Sequence, residues 1–235
     1  MYECILNKKD NFLGREKNKM KFNNIKAIIF DLDGVLTNTS EYHYKAWKRL
    51  ADELDIPFDK KTNEKLRGIP RKESIEIMLD GRTVLEEEKK RLMEVKNRYY
   101  IEYLIQMTPD DILPGALKLL QELREADIKI GIGSSSKNAK TVINKLKLES
   151  LIDAISDGNS VDNHKPAPDL FLHCAANLDV APKEAIVVED AESGVEAALN
   201  GGFWAIGLGP ESRVGKAHIV FPSLENVHLR DFINI

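Results

Sequence analysis

The 235-residue sequence predicts a doubly wound α/β core interrupted by a helical insert, and three observations carry that prediction. Short runs of strand length, at 27–30, 128–133, 185–188 and 204–208, alternate with helical stretches through the second half of the chain. The runs at 27–30 and 185–188 are continuously apolar, as strands covered on both faces are, whereas a half-exposed strand would alternate. Between the first run and the second, residues 38–107 carry apolar side chains at three- and four-residue steps and no strand-like run.

Residues 1–24 are polar and charged, with Lys8-Lys9-Asp10-Asn11 and Arg15-Glu16-Lys17-Asn18-Lys19, and are read as an extension without a catalytic role. Next comes Ala27-Ile-Ile-Phe-Asp31-Leu-Asp33-Gly-Val-Leu-Thr37, a strand that ends in two carboxylates and a glycine. Residues two apart on a strand project to one side, so Asp31 and Asp33 can approach one reacting centre while Leu32 packs away. Gly34 then lets the chain turn sharply beside a ligand. An isolated pair of this kind serves as often to cap a helix or hold a structural cation.

In 41–54 the apolar stripe of Tyr44, Trp47, Leu50, Ala51 and Leu54 predicts a helix, with Thr39 or Ser40 placed to cap it. Pro57 ends that segment, 65–71 breaks the next, 74–79 resumes it, and 85–106 reads as a long charged helix closed by Thr108-Pro109. After Asp111-Ile-Leu-Pro-Gly115, helices at 116–126, 138–146, 169–178 and 192–199 alternate with strands at 128–133, 154–156, 185–188 and 204–208. Ile219-Val220 adds an edge, and the tail ends in a turn of helix. The expected architecture is therefore a Rossmann-like parallel sheet in 25–37 and 108–235, with a helical cap domain in 38–107. Gly131-Ile-Gly133 lacks the third glycine and the downstream acid of a dinucleotide site.

Composition narrows the function classes. With 43% hydrophobic and 31% charged residues and a formal charge of −4, the chain is an ordinary globular one, without the basic balance of a nucleic-acid binder. It contains no apolar run approaching the roughly 18 residues of a membrane span. Cys4 and Cys174 lie far apart without metal-ligand spacing, as expected of free thiols in the reducing cytoplasm.

Four stretches bear chemistry: D-L-D-G-V from Asp31, Ser134 at a strand end, K-P-A-P-D from Lys165, and V-V-E-D ending in Glu189-Asp190. Singly, the serine would be a helix cap and the Lys-Pro a solvated loop. In this order, from about Ile25 to the C-terminus, they resemble the haloacid-dehalogenase superfamily of phosphotransferases. The resemblance implies that Asp31 is the nucleophile, forming an aspartyl-phosphate, and Asp33 the general acid and base. It also implies Mg²⁺ at Asp31, Asp33, Glu189 and Asp190, with Ser134 and Lys165 holding the transferring phosphoryl group. The Lys165-Pro166 bond is expected to be cis.

Thr39-Ser-Glu-Tyr-His43-Tyr-Lys-Ala-Trp47, Leu66-Arg67-Gly68-Ile-Pro-Arg71, Ser74 and Ser134-Ser135-Ser136-Lys-Asn138 narrow the resemblance to the sugar-phosphate mutases of that superfamily. On that resemblance Arg71 grips the non-reacting phosphate, His43 touches the acid-base aspartate, Trp47 walls the sugar pocket and Lys96 reaches the site. Thr39, Arg67, Gly68, Ser74, Ser135, Ser136 and Asn138 complete the implied substrate contacts. Two departures bear on substrate preference: Arg67 stands where that pattern has Lys, and Pro70 where it has Ser. The expectation is a monomeric enzyme for a small sugar phosphate, with β-glucose 1,6-bisphosphate as its intermediate. A phosphatase of the same fold is the nearest alternative, and a non-catalytic sugar-phosphate sensor a more distant one.

Overall fold

The computed structural model describes residues 25–66 and 69–233; the extension 1–24 and the expected cap-loop residues Arg67 and Gly68 lie outside them. Strands β1 (Ala27–Phe30), β2 (Lys129–Gly133), β3 (Ala154–Ser156), β4 (Ala185–Glu189), β5 (Trp204–Leu208) and β6 (Ile219–Phe221) form one six-stranded sheet in the order β3-β2-β1-β4-β5-β6. Every pairing is parallel, with Phe30 in register between Ile132 and Val188.

The continuous apolar runs are explained by what covers each face. Ile28, Phe30, Ile186 and Val188 point to one side, into a cluster with Leu119 and Leu123 of α5 (Ala116–Glu125) and Val142 and Ile143 of α6 (Ala139–Lys145). Ala27, Ile29, Ala185 and Val187 point to the other, against Phe171 and Cys174 of α7 (Asp169–Asn177) and Val195 of α8 (Glu192–Asn200). Each large side chain buried this way contributes about 1.5–3 kcal/mol. The glycines of β2 serve this packing: a Cβ on Gly131 would lie 2.6 Å from the Cys174 Sγ, and one on Gly133 2.7 Å from the Phe171 ring.

Helices α1 (Ser40–Glu53), α2 (Lys60–Glu64), α3 (Arg71–Leu79) and α4 (Glu86–Leu104) follow β1 and build a core of their own from Trp47, Leu50, Ile75, Met78, Leu92 and Val95. The far end of α4 sends Tyr100 and Leu104 into the sheet's cluster. The two segments joining insert and sheet lie side by side. Leu113 N–H donates to the Leu36 carbonyl at 2.9 Å, and the Thr37 hydroxyl donates to the Asp111 carbonyl at 2.8 Å. Among the described residues no helix is long and apolar enough to cross a membrane.

Three local expectations change. Thr39 occupies the position before α1, but its side chain makes no capping bond, and the Ser40 hydroxyl turns to Asn38 instead. The short helices α2 and α9 (Glu211–Val214) have too few residues to show a period in sequence. Strand β1 stops at Phe30, so Asp31 and Asp33 stand in the turn beyond it. The tail forms α10 (Leu229–Ile233), and the Lys165-Pro166 bond is cis.

Candidate active site

Strand order reverses between β1 and β4, the place where parallel α/β sheets open a crevice at their carboxyl ends. Asp31 continues the ladder by donating its N–H to the Val188 carbonyl at 2.9 Å, so its carboxylate emerges beside the acids that end β4. The Asp33 N–H donates to the Asp31 Oδ2 at 2.9 Å, which fixes the rotamer of the first aspartate through the turn. Gly34, at a φ of +89°, is required twice here. Its backbone conformation suits glycine, and a Cβ would stand 2.2 Å from the Asp190 Oδ2.

Lys165 is buried behind this group and donates to the Asp31 Oδ1 at 2.5 Å and the Glu189 Oε2 at 2.8 Å. Burial alone would lower its pKa; the two carboxylates outweigh that and raise it, so the ammonium stays charged. Burial and the neighbouring Asp31 push Glu189 upward, and Lys165 opposes them. Oxygens of Asp31, Glu189 and Asp190 lie within 4.8 Å of one another, a hard, buried donor set suited to a divalent cation. The carboxylate of Asp33 is outside that cluster, so the expected contact of Asp33 with a cation would run through its backbone carbonyl. The carboxylate belongs to the reacting side instead: burial, then the charges of Asp31 and Asp190, raise its pKa to about 8, with Lys96 and Lys165 opposing.

A cavity of about 770 Å³ opens between this sheet end and the inserted helices. Asp31, Asp33, Ser134, Ser135, Ser136, Glu189 and Asp190 line it from below, and His43, Trp47, Arg71, Ser74 and Lys96 from above. Ser134 is buried at the end of β2, its N–H bonded to the Ser156 carbonyl at 3.0 Å and its Oγ accepting from the Ser136 N–H at 3.2 Å. Above, Lys96 is almost fully enclosed, 5.0 Å from the ring centres of Trp47 and Tyr100, and its Nζ lies 2.6 Å from the His43 Nδ1. Burial and then the nearby Arg71 hold Lys96 well below the ordinary lysine value. His43, lowered by burial and then by Lys96 and Arg71, is neutral.

Three expected contacts are placed differently. Thr39 is fully buried and is not part of the cavity wall. The Ser74 hydroxyl faces back along its own helix and donates to the Pro70 carbonyl at 3.0 Å, though the residue still borders the cavity. Asn138 lies outside the cavity wall and reaches the insert by donating to Asn97.

The structure adds groups that the sequence reading omitted. Arg213, from α9, donates its Nε to the Asp190 carbonyl at 2.7 Å and brings Nη2 to 4.0 Å from the Asp190 Oδ2. No spacing signal in the chain points to it. Tyr100 stacks on His43 with ring centres 4.0 Å apart; its place four residues after Lys96, on the same helical face, is a signal that was available.

Fold and site define a class: an α/β protein whose buried aspartate, backed by a lysine and an acid cluster that could hold a cation, lies under an inserted helical layer. The chain belongs to the haloacid dehalogenase-like hydrolase family, which matches residues 28–208. It is 46% identical over 189 residues to the β-phosphoglucomutase of Bacillus subtilis (strain 168), covering 79% of this chain and 84% of that protein. It is 30% identical over 217 residues to the phosphorylated carbohydrates phosphatase of Thermotoga maritima, covering 90% and 98%. The crystal structure of a β-phosphoglucomutase from Clostridium difficile superposes with a TM-score of 0.85 at 40% identity, covering 89% of this chain and 97% of that one.

Proposed function

We infer that this protein is a phosphomutase that interconverts β-D-glucose 1-phosphate and glucose 6-phosphate through β-glucose 1,6-bisphosphate. The observation that carries the inference is the placement of Asp31: ion-paired to Lys165, beside Glu189 and Asp190, at the floor of the cavity between sheet and inserted helices. In the proposed cycle the Asp31 carboxylate attacks a phosphorus of the bisphosphate and forms an aspartyl-phosphate. The ester P–O bond breaks, and the departing sugar oxygen takes the proton of Asp33, which its raised pKa keeps in place near neutrality. Once that product leaves, Asp33 removes the proton from the free hydroxyl of an incoming β-glucose 1-phosphate, which attacks the aspartyl-phosphate and frees Asp31; the bisphosphate so formed turns over and presents its other phosphate.

Ser134 and the backbone N–H groups of its loop would hold phosphoryl oxygens, and Lys165 would balance the charge that gathers on them. The cation we assign is Mg²⁺, held by Asp31 and Asp190 with the Asp33 carbonyl; it supplies positive charge to the phosphoryl group. Glu189 supports from behind, since Lys165 and the Ala191 N–H, at 3.0 Å, already occupy its oxygens. We propose that the insert, 38–107, is a cap over a core of 25–37 and 108–235, closing on the linkers near Thr37 and Asp111. Closure would exclude the water that hydrolyses the aspartyl-phosphate. Arg71, His43, Trp47 and Lys96 would then meet the sugar and its second phosphate, with Arg67 and Gly68 of the cap loop beside them. The proposal extends to a cytoplasmic monomer.

The likeness to a phosphatase of phosphorylated carbohydrates supports a second reading, in which water takes the phosphoryl group from Asp31. Product analysis separates the two. With β-glucose 1-phosphate, Mg²⁺ and a trace of the bisphosphate, glucose 6-phosphate should accumulate; free phosphate as the main product overturns the mutase.

A further inference from the structure

Arg71 of the insert, expected to grip the second phosphate, and Asn138 of the sheet side, an expected substrate contact that stands just outside the cavity wall, meet on a single oxygen. The Oδ1 of Asn97, on α4, accepts from the Arg71 Nη2 at 2.7 Å and from the Asn138 Nδ2 at 3.0 Å. Arg71 opens α3, and Asn138 precedes α6 at the end of the Ser134–Ser136 loop. The three side chains thus cross the seam between the inserted helices and the sheet. Asn97 itself is half-buried and is not part of the cavity wall, so it acts on its neighbours and not on a substrate.

A carbonyl oxygen shared by a guanidinium and an amide presents both with the acceptor that a phosphate oxygen would present. It also leaves donors to spare. A guanidinium has five N–H groups and an amide two, so both can keep Asn97 and still offer N–H groups to a phosphate. The neutrality of Asn97 matters as much as its position. Burial already lowers the Arg71 pKa, and a carboxylate at residue 97 would neutralise the cation in the place where an anion has to find it. An amide orients the fork and leaves its charge available.

Resting on the mutase reading above, we propose that Asn97 is a positioning residue for the second phosphate of a doubly phosphorylated sugar. It sets Arg71 and Asn138 as one two-domain fork, so that occupancy of this subsite and closure of the cap are coupled. A substrate with a single transferable phosphate and nothing at the far end gains nothing from it.

The test compares Asn97→Ala and Asn97→Asp with the wild-type enzyme in Mg²⁺, using β-glucose 1,6-bisphosphate and, as a donor with one phosphate, acetyl phosphate. The expected result is a rise of about tenfold in KM for the bisphosphate in both variants, the size of one lost charge-assisted hydrogen bond. Asn97→Asp should be hit at least as hard as Asn97→Ala, and turnover of acetyl phosphate should be unchanged. A simple brace across the seam would be preserved by Asn97→Asp, which keeps the acceptor, so wild-type affinity in that variant overturns the proposal. A parallel fall in acetyl phosphate turnover also overturns it. Should Asn97→Ala not fold, Asn97→Asp carries the test alone. If the wild-type enzyme releases free phosphate in place of glucose 6-phosphate, the mutase reading falls separately. Competition of the bisphosphate with acetyl phosphate then still decides the role of Asn97.

Discussion

The floor and the roof of the cavity are built on opposite terms. The floor belongs to a parallel ladder: Asp31 and Glu189 leave adjacent strands whose registers are fixed residue by residue, and a buried lysine ties them together. The roof belongs to helices with their own hydrophobic core, joined to the sheet through two paired linker segments. Charge differs as well. Four carboxylates and one lysine gather below, whereas Arg71, Lys96 and a neutral His43 gather above. A rigid acidic floor suits a cation and a nucleophile, and a separately hinged basic roof suits recognition of whatever arrives. If reaction type lies with the floor and substrate choice with the roof, as proposed above, variants of the two should fail in different ways.

The sharpest way to break that division is at the floor. Asp31→Asn should lower mutase turnover by at least about 10⁴-fold, the scale of removing a group that acts at the reacting atom. The same variant should show no aspartyl-phosphate by intact mass, with thermal stability preserved. Residual turnover near the wild-type level would move the nucleophile elsewhere. Lys165→Met comes next. It leaves Asp31 and Glu189 buried and facing one another, which should cost about 3–5 kcal/mol in urea unfolding as well as most of the activity. Stability unchanged in that variant would mean that the two acids are not held by the lysine.

At the roof the effect should be smaller and of another kind. Arg71→Lys keeps a charge but loses the planar fork, and should raise KM for β-glucose 1-phosphate by roughly ten- to a hundredfold, with little change in unfolding. A fall in kcat without a change in KM would place Arg71 in the chemistry and blur the division. The mildest test is pH, because Asp33 lies where floor and roof meet. Its raised pKa means the proton is present at pH 7 and lost as pH rises, so kcat/KM should decline above about 8, by about tenfold per unit. A profile flat to well above that value would mean that enclosure by the helices does not hold the proton.

What could be read from the chain follows the range of the interactions involved. The strand at 27–30, the alternation after 111 and the order of the four motifs rest on local periodicity and on residues a few positions apart. Thr39 stands at the cap position before α1, but its side chain is fully buried and makes no capping bond, which residue type alone does not foretell. Asp31 lies far from Glu189 and Asp190 in the chain and meets them only because β1 and β4 pair, which no local spacing encodes.

The sequence by itself determined the strand and helix order, the two-sided burial of the sheet, and a pair of aspartates just beyond a strand end, since period and composition carry those directly. Only the tertiary structure decided that Arg213 braces Asp190, that one amide joins Arg71 to Asn138, and that Tyr100 stacks on His43. These contacts join residues 23 to 57 positions apart on separate elements. No local spacing encodes such meetings, because they follow from the angles at which packed helices and strands bring their side chains to a common space.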